Sequence, residues 1–248
     1  AKLLCTAAGL THAQGRFADA GARLDEAAGL ARQAGDLPTL AWVLAMRGNA
    51  AAGEGRNVRA IEVLEEAETL SRQLGELYPA TRARVGKASV AIIEQRLDEA
   101  DRLLDETETE IRQLGAPWGL AAALTMHGGV RLLLGKRDRA EGLLREAVVI
   151  LGRLQDTWML MQVLSHLAAA AALDSSPRRA ARLFGAADAL AERSGAAIFP
   201  FFRPLDERCR TVVAEEIGAG AFEVLHHQGE ALALEEVVAL ATASEPSA

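Results

Sequence analysis

The sequence predicts an all-α solenoid of five tandem helix pairs, each 40 residues long, closed by a C-terminal helical cap. Three observations predict it. Small, large apolar and turn residues recur with a period of 40. Within each unit the apolar residues fall at helical spacing. The composition is 50% hydrophobic but only 4% aromatic, which suits closely packed helices better than sheets, where β-branched and aromatic side chains are favoured.

The period is legible in five registers. Alanine stands at Ala20, Ala60, Ala100, Ala140 and Ala180, and four residues later come Leu24, Leu64, Leu104, Leu144 and Phe184. Small residues stand at Ala8, Gly48, Ala88, Gly128 and Ala168. One turn set is Gly35, Gly75, Gly115 and Gly195, with Gln155 in the remaining slot. The other is Gly15, Gly55 and Gly135, with Gln95 and Ser175 between. Regular repeats of this length mean stacked supersecondary units, because one helix pair alone cannot bury its apolar stripe.

Each unit reads as two helices. In repeat four the second helix carries Ala140, Leu143, Leu144, Ala147, Ile150, Leu151 and Leu154 on one stripe, with Arg139, Glu141 and Arg145 opposite. The glycine after each second helix sits where a left-handed residue is cheapest. Pro38, Pro79 and Pro117 follow three of these glycines, in the first turn of the next helix, where proline is tolerated. The small registers let the two helices of a pair approach closely.

The repeats span residues 1–195, and residues 196–248 form the cap and its tail. The segment Phe199-Pro200-Phe201-Phe202-Arg203-Pro204 is a turn holding three of the six phenylalanines, best suited to plug the last repeat. Helices are expected near 204–217, 220–231 and 234–243, followed by a small, polar, frayed end over 242–248.

Gly48, Ala60, Leu64 and Ala67 match the spacing of the signature positions of tetratricopeptide (TPR) repeats. The chain resembles that family, which implies a right-handed α–α superhelix whose first helices line a concave groove. Its period of 40 exceeds the usual period of about 34. That lengthening resembles the sensor region of the maltose-regulon activator and related bacterial regulators. Pro117-Trp118-Gly119 with Ala121, Ala122 and Leu124 is similar to an ordinary unit of that family, and Arg178 to Asp188 to its final repeat. Gly229-Glu230-Ala231-Leu232 and Leu234 to Ala241 resemble the stretch that closes the region in large actinobacterial regulators of the STAND ATPase class. In those proteins an ATPase module precedes the repeats and a LuxR-type helix-turn-helix often follows; some carry a cyclase-like domain upstream. The resemblance therefore implies a regulatory sensor segment. Two departures stand out: Ala233 replaces the serine that commonly caps the last helix, and Arg84 stands where the other repeats have Leu44, Leu124 and Leu164.

Composition narrows the function classes. The net charge is −7, against direct nucleic-acid binding by this segment, which needs basic patches. Of the 27 basic residues only Lys2, Lys87 and Lys136 are lysines. Cys5 and Cys209 imply no disulfide framework and fit a reducing cytoplasm. No apolar run suggests a membrane span. The chain starts at Ala1 without a Met, as a piece of a longer protein would.

No catalytic pattern stands out, and no cofactor is expected. Gly129, Gly135 and Lys136 outline a phosphate loop, but the gap is one residue too long and Arg137 stands where Ser or Thr belongs. Ser165 and His166 are adjacent on a helix and so point apart. His226 and His227 lack metal-ligand spacing to Cys209, so no metal is expected. The candidate binding residues are Arg47, Lys87 and His127, in one register of three successive first helices, with Arg84 and Arg131 nearby. Trp42 and Asn49 join them on the predicted groove face of repeat two. Such a ladder would hold an effector or an acidic surface of a protein partner; paired surface charge is the commoner role of such residues. A free-standing protein-assembly scaffold is the alternative to the sensor segment, and self-association through an exposed repeat end is compatible with either.

Overall fold

The computed structural model describes residues 1–243. They form thirteen helices and no strand. Five pairs come first: α1 (Lys2–Ala13) with α2 (Phe17–Ala34), α3 (Leu37–Gly53) with α4 (Asn57–Leu74), α5 (Leu77–Ile93) with α6 (Leu97–Leu114), α7 (Pro117–Leu133) with α8 (Arg137–Leu154), and α9 (Thr157–Leu173) with α10 (Pro177–Ser194). Three tail helices follow: α11 (Arg203–Ile217), α12 (Ala219–Glu230) and α13 (Leu234–Thr242). The tail helices fall within two residues of the sequence expectation. Of the expected frayed end, residues 244–248 lie outside the described residues.

The repeat registers have a packing cause. Ala20, Ala60 and Ala100 are fully buried, and Leu24, Leu64 and Leu104 are at most 1% exposed. A Cβ on Gly48 would lie 2.4 Å from Leu64 Cγ, and one on Gly128 would lie 2.5 Å from Leu144 Cγ. The small register is thus the seat for the leucine of the paired helix, whose burial is worth about 1.5–3 kcal/mol. The turns keep their geometry where the glycine is missing: Gln95, Gln155 and Ser175 adopt φ of 59°, 52° and 57°. Asp36 and Asp156 cap α3 and α9 by accepting from the Thr39 and Met159 amides at 3.1 and 2.9 Å.

The chain divides into two compact units within α7, Ala1–Ala123 and Leu124 onward. In the first unit consecutive helices from α1 to α6 pack on one another, and α3 packs on both α1 and α5. In the second unit α8, α9 and α10 carry the tail. There α11 lies on α9 and α10, α12 on α10, and α13 on α8 and α10. The α10–α12 crossing is very close. A Cβ on Gly185 would sit 2.0 Å from the His226 carbonyl oxygen, and one on Gly229 2.0 Å from that of Arg182. Only glycine at both crossing points permits this approach. The phenylalanine turn enters the same unit: Phe202 is 1% exposed, and Gln162 ties the turn down by donating to the Ala197 carbonyl at 2.7 Å and accepting from the Phe199 amide at 3.1 Å. Where a serine cap is missing at Ala233, Glu236 accepts from the Ala233 amide at 2.8 Å, so half of a capping box remains.

Candidate functional site

The first helices of the first unit bring together an aromatic and cationic cluster. Tyr78 and Arg82 lie one turn apart on α5, so their side chains share a face. Trp42 of α3 stacks on Tyr78 with ring centroids 5.7 Å apart and an interplanar angle of 22°. The Arg82 guanidinium lies 5.2 Å from the Trp42 ring and 5.1 Å from that of Trp118, at the start of α7. Each is cation–π geometry, worth about 0.5–2 kcal/mol. Gly119 makes room, since a Cβ there would lie 2.4 Å from the Tyr78 ring. All four side chains are partly accessible.

Arg82 is held without a carboxylate partner among the described residues. Burial pushes its pKa down, and the hydrogen bond and charge of Tyr78 oppose that shift. Its Nε has no hydrogen-bond partner. His12 of α1 is set into the same cluster. Burial, helped by the Arg82 charge and opposed by a hydrogen bond to the Asn49 backbone, lowers its pKa to about 4. Asn49, partly accessible, donates to the Ala45 carbonyl at 2.7 Å and lies where a Cβ on Gly86 would approach its Oδ1 to 3.0 Å. The face therefore offers a desolvated cation between two indoles beside a neutral imidazole.

The proposed basic ladder is placed differently. Arg47 is 8% exposed and turns to the second helix: its Nε donates to Asp25 at 2.8 Å and its Nη1 to Glu54 at 3.2 Å. Gly21 clears the space, since a Cβ there would lie 3.3 Å from the guanidinium carbon. Arg84 donates to Glu110 at 2.9 Å and Glu68 at 3.1 Å, and Lys87 donates to Glu68 at 2.8 Å. Burial would raise the Glu68 carboxyl, but hydrogen bonds and charge from Lys87 and Arg84 outweigh it and hold the group below its ordinary range. These three cations are committed inside the first unit. His127, fully buried, and Arg131, half-buried, belong to the second unit and are themselves engaged.

Sequence reasoning named Trp42 and Asn49 but passed over Tyr78, Arg82 and Trp118. The signal was present in the registers: Tyr78, Trp118 and Trp158 occupy one position of successive repeats, and Arg82 occupies the position of Trp42. The compensation at Arg84 was also legible, since Glu110 stands where Leu30, Leu70 and Ile150 stand elsewhere.

The second unit holds a polar network of its own. Ser165 donates to the buried Asp206, which accepts from Arg210 Nε at 2.6 Å. Arg210 makes a bidentate pair with Asp188 at 2.8 Å for both bonds and lies 4.2 Å from the Phe184 ring. His226 Nε2 reaches Asp188 at 2.8 Å. His166 goes elsewhere, edge-on to Phe202 at 4.4 Å, so Ser165 and His166 do not act on one another. His226, His227 and Glu230 bring three potential metal-ligand atoms within 4.8 Å of one another. Cys5 and Cys209 are buried and unpaired, and burial raises both thiols.

No family model and no curated protein matches the chain. Solved structures do. The Rap protein complexed with competence and sporulation factor is 16% identical with a TM-score of 0.66, over 96% of this chain and 73% of that one. BtubC (BKLC) from P. vanneervenii is 18% identical with a TM-score of 0.61, over 95% of both chains. At such identities the likeness is one of fold: the chain is an all-α helical repeat of TPR-like pairs.

Proposed function

We propose that the chain is a non-catalytic binding module that takes an acidic segment of a protein partner on the first-helix face around Arg82. The observation that carries this reading is the Arg82 guanidinium, set against Trp42 and Trp118 with no carboxylate partner among the described residues. A desolvated cation gains most from an incoming carboxylate, where a charge-assisted hydrogen bond is worth about 1.5–3 kcal/mol. The indoles add flat apolar surface that costs little side-chain entropy to present. Asn49 edges the same face, while Arg47, Arg84 and Lys87 stiffen the helices behind it. The similar Rap protein was solved in complex with competence and sporulation factor, which supports uptake of a partner by this fold.

The residues that resemble bacterial regulators support a more specific role. In it, the chain is the sensor segment of a cytoplasmic signalling ATPase or LuxR-type transcription regulator. Binding would shift the parent between two states, which requires different affinities for them. The second reading is a free-standing scaffold for protein assembly, a use open to any stack of helix-pair repeats with an extended surface. A thermal-shift screen with small metabolites separates the two: an effector raises the melting temperature of a sensor.

The binding face is tested by fluorescence anisotropy with a labelled oligoglutamate peptide and an oligolysine control. The full chain is expected to bind the acidic probe alone. Arg82→Ala should weaken it by about tenfold or more, equivalent to about 1.4 kcal/mol, with Arg16→Ala unchanged. Equal affinity of the Arg82 variant and the unaltered chain would refute the reading.

A further inference from the structure

We infer that His226, His227 and Glu230 on α12 form a binding site for a zinc-type dication, with Asp188 of α10 as the residue that orients it. Asp188 fixes one ring nitrogen of His226. Its Nε2 lies 2.8 Å from Asp188 Oδ2, and an ionised carboxylate can only accept, so the proton is on Nε2. Its Nδ1 faces Glu230 Oε1 at 3.4 Å. His227 Nδ1 lies 3.1 Å from the second oxygen of the same carboxylate. Two imidazole nitrogens and a carboxylate thus converge on one space that a dication can occupy.

The spacing suits a metal. Zinc binds imidazole nitrogen and carboxylate oxygen at about 2.0–2.2 Å, which separates tetrahedral ligand atoms by about 3.3–3.6 Å. His226 Nδ1 and His227 Nδ1 lie 3.4 and 3.1 Å from the two oxygens of Glu230, close to that range, and one ligand atom from each residue lies within 4.8 Å of the others. Glu230 is one helical turn from both histidines, so all three share an edge of α12. His227 is exposed, with 74% of its side chain accessible, so a water completes the fourth position.

Asp188 supplies what an isolated trio on a helix would lack. A metal-bound histidine generally donates its other N–H to a carboxylate, which fixes the ring and raises its basicity. Asp188 is itself clamped by the bidentate Arg210, and Arg210 by Asp206. The α12 backbone cannot rotate away, because the Gly185 and Gly229 crossings press it against α10 at His226. Rigidity is set by the fold before any ion arrives.

The test uses the full chain, freed of metal by chelator dialysis and titrated with Co²⁺ and then Zn²⁺. One equivalent of Co²⁺ is expected to give visible ligand-field bands, which Zn²⁺ abolishes by displacement. His227→Gln and Glu230→Gln, both at accessible positions, should each weaken binding by more than about tenfold and leave the circular dichroism unchanged. Asp188→Asn should weaken it by about tenfold and shift the ligand-field bands. Nitrogen-15 spectra of the imidazoles should show His226 protonated at Nε2 and perturbed at Nδ1 by Zn²⁺. The inference is overturned if no bands exceed those of Glu230→Gln. It is equally overturned if His227→Gln and Glu230→Gln bind as the unaltered chain does, which would place the ion elsewhere. A proton retained on His226 Nδ1 under excess Zn²⁺ would show that a proton, and not a metal, bridges to Glu230.

Discussion

His166 couples the stability of the second unit to pH. The side chain is 2% exposed, edge-on to Phe202, and neither ring nitrogen has a well-formed hydrogen bond. Burial lowers its pKa from 6.5 to about 4, and the Thr125 backbone pulls the other way too weakly to offset this. In the unfolded chain the imidazole takes up its proton as the pH falls through 6.5; in the folded chain it resists until about 4. The folded state is therefore at full advantage above 6.5 and loses stability between those values. At about 1.4 kcal/mol per pKa unit, the whole loss is about 3 kcal/mol, of which about 2 kcal/mol is spent by pH 5. Urea unfolding at pH 7 and pH 5 measures it. With Trp42→Phe and Trp118→Phe in the background, the fluorescence of Trp158 reports the second unit alone. This also sets aside His12, which titrates in the same window in the first unit. His166→Met removes the titrating group with little change of volume. The unaltered chain should lose about 2 kcal/mol more than the variant between the two pH values. Parallel losses in the two proteins would refute the burial argument.

Three further outcomes follow from the packing. Glu68→Ala should destabilise the first unit by about 3 kcal/mol in denaturant unfolding, because Arg84 and Lys87 lose their shared partner. Adding Arg84→Leu and Glu110→Leu, which restores the apolar registers, should recover stability to at least the starting value. Gly185→Ala should cost the second unit about 1–3 kcal/mol, since the new Cβ would meet the His226 carbonyl oxygen at 2.0 Å and α12 must move. Gln155→Gly should stabilise by about 0.5–1 kcal/mol, because φ of 52° is strained for glutamine and free for glycine; a lowered melting temperature would contradict this.

The fold was legible because period and side-chain size report the same contacts. Ala60, Leu64 and Gly48 recur at a distance of 40 because each leucine needs a small seat on the paired helix. Departures from the period were harder to read. Arg84 read as a candidate groove cation, with paired charge as the commoner role; it is balanced by Glu110, whose place in an apolar register signals the pairing, and by Glu68 of a neighbouring helix, which no register marks. Arg47 was assigned to the face of its register, but Gly21 on the preceding helix opens a space that draws it toward Asp25 and Glu54. Arg82 takes the register position of Trp42, but its setting against two indoles 76 residues apart in the chain is a tertiary contact that the register alone does not show. The Asp188–His226 contact likewise depends on a helix crossing set by two glycines, Gly185 and Gly229, that follow no repeat register.

The most direct measurement is a selection of random-sequence peptides on the full chain, run in parallel on Arg82→Glu. The account predicts that the unaltered chain enriches peptides rich in Asp and Glu and that charge reversal at Arg82 abolishes this enrichment. Enrichment of the same acidic peptides by both proteins, or of no acidic peptide by the unaltered chain, would contradict it.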